Sequence, residues 1–212
     1  MNFKKWMAGV LGTGLVVSMG VNSATAYGSE SNVAGSAPSE AKVEFTGGHL
    51  TLDNVTSISF GNTEVTSKAN IYNSADDSFS LQVTDERGTG GGWHLTARAL
   101  NFHNEAGQET LIGSKILLDR GSTVDTDASK NQEPGVTQEI KLYAGGDSTL
   151  IVNASSHENI QEAQGVGTWV AEWDNTSDSR VKLDVPARSA STGKHTADIE
   201  WTLYNGPATE NQ

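Results

Sequence analysis

The chain has 212 residues and no Cys, with 26 Asp+Glu against 14 Lys+Arg and a formal net charge of −12. That balance argues against nucleic-acid binding, which needs Lys and Arg to neutralise phosphates, and against charge-driven docking on anionic lipid or wall polymers. Any surface contact is then mainly apolar, hydrogen-bonded or cation-bridged, and no disulfide supports the fold.

The chain opens with Lys4 and Lys5, an apolar uncharged stretch from Trp6 to Val21, and the small residues Ala24-Thr25-Ala26. This order predicts a secretory signal over residues 1–26, cleaved before Tyr27. The apolar stretch is short for a span, so no integral membrane segment is expected after cleavage. Residues 27–41 are rich in Gly, Ser, Asn and Glu and include Pro38. They read as a flexible lead-in to one domain over 42–212.

From Lys42 onward the apolar period is two, the period of a strand with one buried face. The alternating runs are Val43/Phe45, Leu50/Leu52, Ile58/Phe60, Phe79/Leu81/Val83 and Trp93/Leu95/Ala97. They continue with Ile140/Leu142, Leu150/Val152, Trp169/Ala171/Trp173, Val181 to Val185 and Ile199 to Leu203. Turn signals separate them, among them Gly47-Gly48, Gly61-Asn62, Gly90-Gly91-Gly92, Pro134-Gly135, Gly145-Gly146 and Asn205-Gly206. About nine or ten short strands in one antiparallel β-sandwich or barrel-like domain follow, an all-β fold. Thr110 to Asp119 fits a helix or a buried strand, and the polar passage Asp119 to Gln138 reads as an exposed loop.

No catalytic constellation is present, so an enzyme is not expected. The chain lacks a Cys nucleophile, a Gly-x-Ser-x-Gly elbow and a His-Glu-x-x-His helix, and its five His are scattered. Asp125-Thr-Asp127 begins like a calcium loop, but the sixth position lacks Gly and the twelfth is Val136. No cofactor or metal is expected.

Two strings stand out: Gly92-Trp93-His94-Leu95 and Glu200-Trp201-Thr202-Leu203. Each sets a Trp and a Leu on one strand face. Two readings compete. The pairs line the core, where a buried Trp removes a large apolar area from water, or some of the Trp stay exposed to stack on sugar rings or a partner's sheet. The triple Gly before Trp93 points to close backbone approach or a bulge.

These residues resemble the WxL surface-domain proteins of Gram-positive bacteria. Val43-Glu-Phe45, Ile58-Ser-Phe60-Gly61 and Leu81 through Arg87-Gly88 lead into Gly92 to Ala97, similar to the first family signature. Gly165-Val-Gly167-Thr-Trp169 and Val181 to Pro186 follow, and His195 to Leu203 resembles the second signature, with His195 where Tyr is common. The resemblance implies secretion and non-covalent attachment to the cell wall, with peptidoglycan as ligand. It makes Trp93, Leu95, Trp169, Trp201 and Leu203 the candidate contact residues. It also implies a membrane-anchored partner surface protein, and the alternative that the domain docks on that partner and reaches the wall indirectly. The C-terminus shows no Leu-Pro-x-Thr-Gly sorting signal, which agrees with retention by the folded domain.

Overall fold

A computed structural model describes residues 37, 39–127 and 131–209. The signal-peptide expectation and most of the lead-in lie outside the described residues. The chain divides into two units, Met1–Val43 and Glu44–Gln212. In the first, residues 37 and 39–43 carry no regular structure, and Lys42 pairs with Glu40 at 3.3 Å.

Every strand belongs to the second unit, and there are fifteen among the described residues. In chain order they are β1 (Leu50–Val55), β2 (Asn70–Asn73), β3 (Ser78–Asp85), β4 (Trp93–Ala99) and β5 (Phe102–Asn104), then β6 (Glu109–Thr110), β7 (Lys115–Leu118) and β8 (Ser122–Asp125). There follow β9 (Gly135–Val136), β10 (Ile140–Tyr143), β11 (Thr149–Ala154), β12 (Gly167–Asp174), β13 (Val181–Val185), β14 (His195–Thr196) and β15 (Ile199–Asn205). All ladders between strands are antiparallel. Three four-stranded sheets, ordered β1-β3-β12-β8, β10-β7-β13-β2 and β15-β4-β11-β9, enclose the core in a sandwich-like arrangement, and β14-β5-β6 forms a fourth. The all-β reading holds. The strand count exceeds the expected nine or ten because two-residue ladders such as β6, β9 and β14 carry no alternation for a sequence to display.

Where period two was clear, burial follows it. In β3, Phe79, Leu81 and Val83 are buried between half-buried neighbours, and in β12 Trp169, Ala171 and Trp173 are buried likewise. Segment 110–119 resolves as a turn followed by β7. Leu111 and Gly113 take positive φ (49° and 81°), which breaks any helix, and Ile116 and Leu118 then alternate into the core.

Three expectations are corrected. The passage 119–138 is not simply a loop: β8 within it pairs with β12, and β9 pairs with β11. Both are outermost in their sheets, where a polar outer face stays hydrated. Ile58 to Phe60 forms no strand. It is an irregular, half-buried segment held by Ser59 N–H donating to Asp76 Oδ2 (2.7 Å) and Ala75 N–H donating to Ser59 O (2.8 Å). Val43 and Phe45 also join no ladder and stand 76% and 88% exposed. Alternation reports only that two side chains share a face; a strand also needs a partner edge within reach.

Candidate functional site

The two signature strings lie side by side. β15 pairs with β4 so that Leu203 faces Leu95, Trp201 faces Ala97 and Asn205 faces Trp93. Cross-strand partners share a face, so Trp93, Leu95, Ala97, Trp201 and Leu203 form one apolar surface. Its two halves differ in depth. β4 is central, flanked by β15 and β11, and Trp93 and Leu95 are 1% and 0% exposed. β15 ends the sheet, and its Ile199, Trp201 and Leu203 are half-buried.

Trp93 is tied to a third motif. Its indole N–H donates to Gly165 O at 2.9 Å. Gly165 has φ 68°, and a Cβ there would stand 2.6 Å from Trp93 Nε1, so only glycine allows this approach. Gly90 and Gly92 work similarly: with φ 63° and 65°, a Cβ would lie 2.4 Å from His157 O and from Ala154 O respectively. Close approach is thus the role of these glycines. Trp169, 5% exposed, sits on β12 rather than in the signature sheet and donates its N–H to Val166 O at 2.9 Å. The structure therefore brings Trp93, Leu95, Trp201 and Leu203 together and places Trp169 apart from them, in a different sheet.

Asp85 and Arg87 carry the frame around these strings. Arg87 Nε and Nη2 donate to the two oxygens of the buried Asp85 carboxylate (2.8 and 2.7 Å). Nη2 also reaches Gly92 O (2.7 Å) and Nη1 reaches Asn205 Oδ1 (3.0 Å). One guanidinium thus holds the start of β4 and the end of β15 to the end of β3. Its hydrogen bonds to Asp85 raise the Arg87 pKa above the ordinary value. The Asp-Glu-Arg string carries no sequence signal of this role, since the pairing with Asn205 spans 118 residues.

On the opposite face of the same sheet, His94 stacks on Tyr204 (centroids 4.7 Å apart, planes 9° apart), and its Nδ1 hydrogen-bonds Gly206 O at 2.8 Å. A backbone carbonyl only accepts, so Nδ1 carries the proton.

The open part of the site is a groove of about 1060 Å³. Ile199 and Trp201 of β15 wall one side, and Tyr72 of β2 with Leu183 and Val185 of β13 wall another. The irregular segment 55–65, with Ile58 and Phe60, and segment 190–198 complete the lining. Trp201 stacks against buried Phe79 (5.6 Å, 29°), which in turn packs on Trp173 (5.3 Å). The rings buttress Trp201 from below and leave it at the groove surface. Hydroxyl and amide side chains of Ser57, Asn62, Thr63, Ser191 and Thr192 line the groove along with Glu64, Lys194 and Asp198.

His195, at the position that departs from the resembled pattern, pins the wall of this groove. Its Nδ1 meets Thr110 Oγ1 and its Nε2 meets Ser191 O, both at 2.9 Å. Ser191 O accepts, so Nε2 carries the proton and Thr110 hydroxyl donates to Nδ1 when the ring is neutral. An aromatic residue without these two nitrogens would not make both bonds. No cluster of three or more His, Cys, Asp or Glu suited to a metal occurs among the described residues. Nor does any helix among them qualify as a membrane span.

Among known families, the model described as WxL domain surface cell wall-binding matches residues 31–207. No curated protein and no solved structure matches the chain.

Proposed function

Because the chain belongs to the WxL domain surface cell wall-binding family, we propose that it is a non-catalytic module that leaves the cell by the 1–26 leader and holds non-covalently to wall peptidoglycan through the groove walled by Trp201. The single observation that carries this reading is the half-buried Trp201, buttressed by Phe79 and facing an open groove rimmed with hydroxyl and amide groups. An aromatic face suits the apolar face of a sugar ring, and the flanking polar groups suit its hydroxyls. Trp93 and Leu95 enter only as the framework that sets β15 in place, because their side chains are already enclosed. The acidic chain faces an anionic wall, so the attraction is stacking and hydrogen bonding rather than charge.

The test is pelleting of the purified protein with protein-free peptidoglycan, beside a folded Trp201→Ala variant. Saturable binding that the variant loses supports direct recognition through the groove. Absence of binding by the parent protein overturns it and favours the adaptor reading, in which a membrane-anchored partner protein carries the module to the wall.

A further inference from the structure

Phe45 and Val43 are the most exposed large apolar residues in the described chain, 88% and 76%. They stand at i and i+2 around Glu44, the spacing of a strand that presents one apolar face, yet the segment joins no ladder. At the far end of β1 lies an open groove with apolar side chains at its base and polar ones around it. One of its walls, β15, is the last strand of its sheet, so its outward N–H and C=O groups have no neighbouring strand of that sheet. A strand-forming segment without an edge, and a sheet-terminal strand approached chiefly by β1 of another sheet, occur in one molecule.

Phe45 cannot reach the groove of its own molecule. Gly48 N–H donates to Glu86 O and Glu86 N–H to His49 O (both 2.9 Å), which anchors the chain beside Leu50, the residue paired with Asp85. The groove begins with Val55, at the other end of β1. Six strand residues cover ~20 Å, whereas the three residues from Gly48 back to Phe45 reach at most ~11 Å. Phe45 is therefore out of reach of its own groove.

We infer that copies of this chain associate head to tail, the extended segment ending at Phe45 of one copy docking in the groove of the next as a strand added along β15. Phe45 and Val43 then enter the apolar lining, while Glu44, on the opposite face of the added strand, turns to the rim. There Lys194 is a lysine with no ion pair among the described residues, and it complements Glu44. Because knob and groove lie at opposite ends, the contact is heterologous: it does not close at a dimer and grows as a chain of copies. Main-chain pairing supplies the affinity and the alternate apolar side chains supply the register. The net charge of −12 on each copy opposes assembly, so association strengthens with salt. The inference uses the same groove as the wall reading but does not depend on it.

Sedimentation of the purified protein over a concentration series, without any glycan, tests this. The expected result is a mass that rises past the dimer with concentration. Phe45→Ser, which removes the knob, and Ala197→Phe, which fills the groove from a half-buried position, should each remain monomeric. A one-to-one mixture of the two variants should form a dimer and stop there, since the first still has a groove and the second still has a knob. Lys194→Glu should weaken association at least several-fold, and mixing it with Glu44→Lys should restore it, which keeps the test open if Ala197→Phe does not fold. A parent protein monomeric at every concentration, a closed symmetric dimer, or a variant mixture that stays monomeric overturns the inference. Phe45→Ser should still pellet with peptidoglycan, so the failure of one proposal is seen separately from the failure of the other.

Discussion

Removing Trp93 should unfold the protein before it alters recognition, whereas removing Trp201 should do the reverse. Trp93 is 1% exposed and spends its N–H on Gly165 O at 2.9 Å. Truncating a buried Trp to Ala costs about 3–5 kcal/mol, and at ~2–4 °C per kcal/mol for a domain of this size the midpoint falls by roughly 6–20 °C. Trp93→Phe keeps most of the ring but orphans the Gly165 carbonyl, a loss of about 1–3 kcal/mol. Trp201 is half-buried, so Trp201→Ala loses about 1 kcal/mol of area burial plus about 0.5–1.5 kcal/mol of ring contact with Phe79, and should melt roughly 3–10 °C lower by the same conversion. The assay is thermal unfolding by circular dichroism for all three variants, followed by peptidoglycan pelleting of those that fold. Trp93→Phe should pellet like the parent and Trp201→Ala should not. Trp201→Ala melting as low as Trp93→Ala, or a folded Trp93→Phe that fails to pellet while Trp201→Ala pellets normally, would refute this division of roles.

Gly165→Ala should cost at least ~1–2 kcal/mol from the left-handed backbone alone, and more from the 2.6 Å approach of its Cβ to Trp93 Nε1. Gly107→Ala, with φ 76° and no atom within 4 Å of the new Cβ, should be the milder change in a urea titration. Arg87→Ala strands the buried Asp85 carboxylate and should destabilise by about 3–5 kcal/mol; Arg87→Lys should rescue little, since an ammonium cannot make the paired bonds. For acid stability, burial pushes the Asp53 carboxyl up, but hydrogen bonds from Thr51, Thr84 and Gln82 outweigh it and hold the group below its ordinary 3.8. Thr176 does the same for Asp174, through its hydroxyl and its backbone N–H. A lowered folded pKa means stability present above the unfolded value and lost as pH falls through the folded one, so melting temperature should decline below about pH 4. Asp53→Asn should flatten part of that decline, and an unchanged acid slope would count against the assignment. Lys115 behaves oppositely: its bond to Asp184 raises it above 10.5, so its contribution is complete below that value and disappears as pH rises through the raised one.

What the sequence determined by itself was period and chemistry. Alternation at Phe79/Leu81/Val83 and Trp169/Ala171/Trp173 became buried strand faces because side-chain direction in a strand is a local property. The triple glycine before Trp93 was legible as close approach or a bulge, and at Gly90 and Gly92 it is close approach, with positive φ and a backbone oxygen 2.4 Å from where a Cβ would stand. The motif order also pointed to the family that the chain belongs to. What only the tertiary structure decided was partnership and depth. Trp93 and Trp201 share a tripeptide pattern, yet one sits on a central strand and the other on a terminal one, and strand order is set by contacts a hundred residues apart. Val43/Phe45 and Ile58/Phe60 read as strands no less clearly than Leu50/Leu52, but alternation does not provide an edge to pair with. Arg87 looked like one more charge until folding placed Asp85, Gly92 and Asn205 around it. The groove has no sequence signature, because its walls come from segments 55–65, 72, 183–201 and the rings beneath, which meet only in the folded domain.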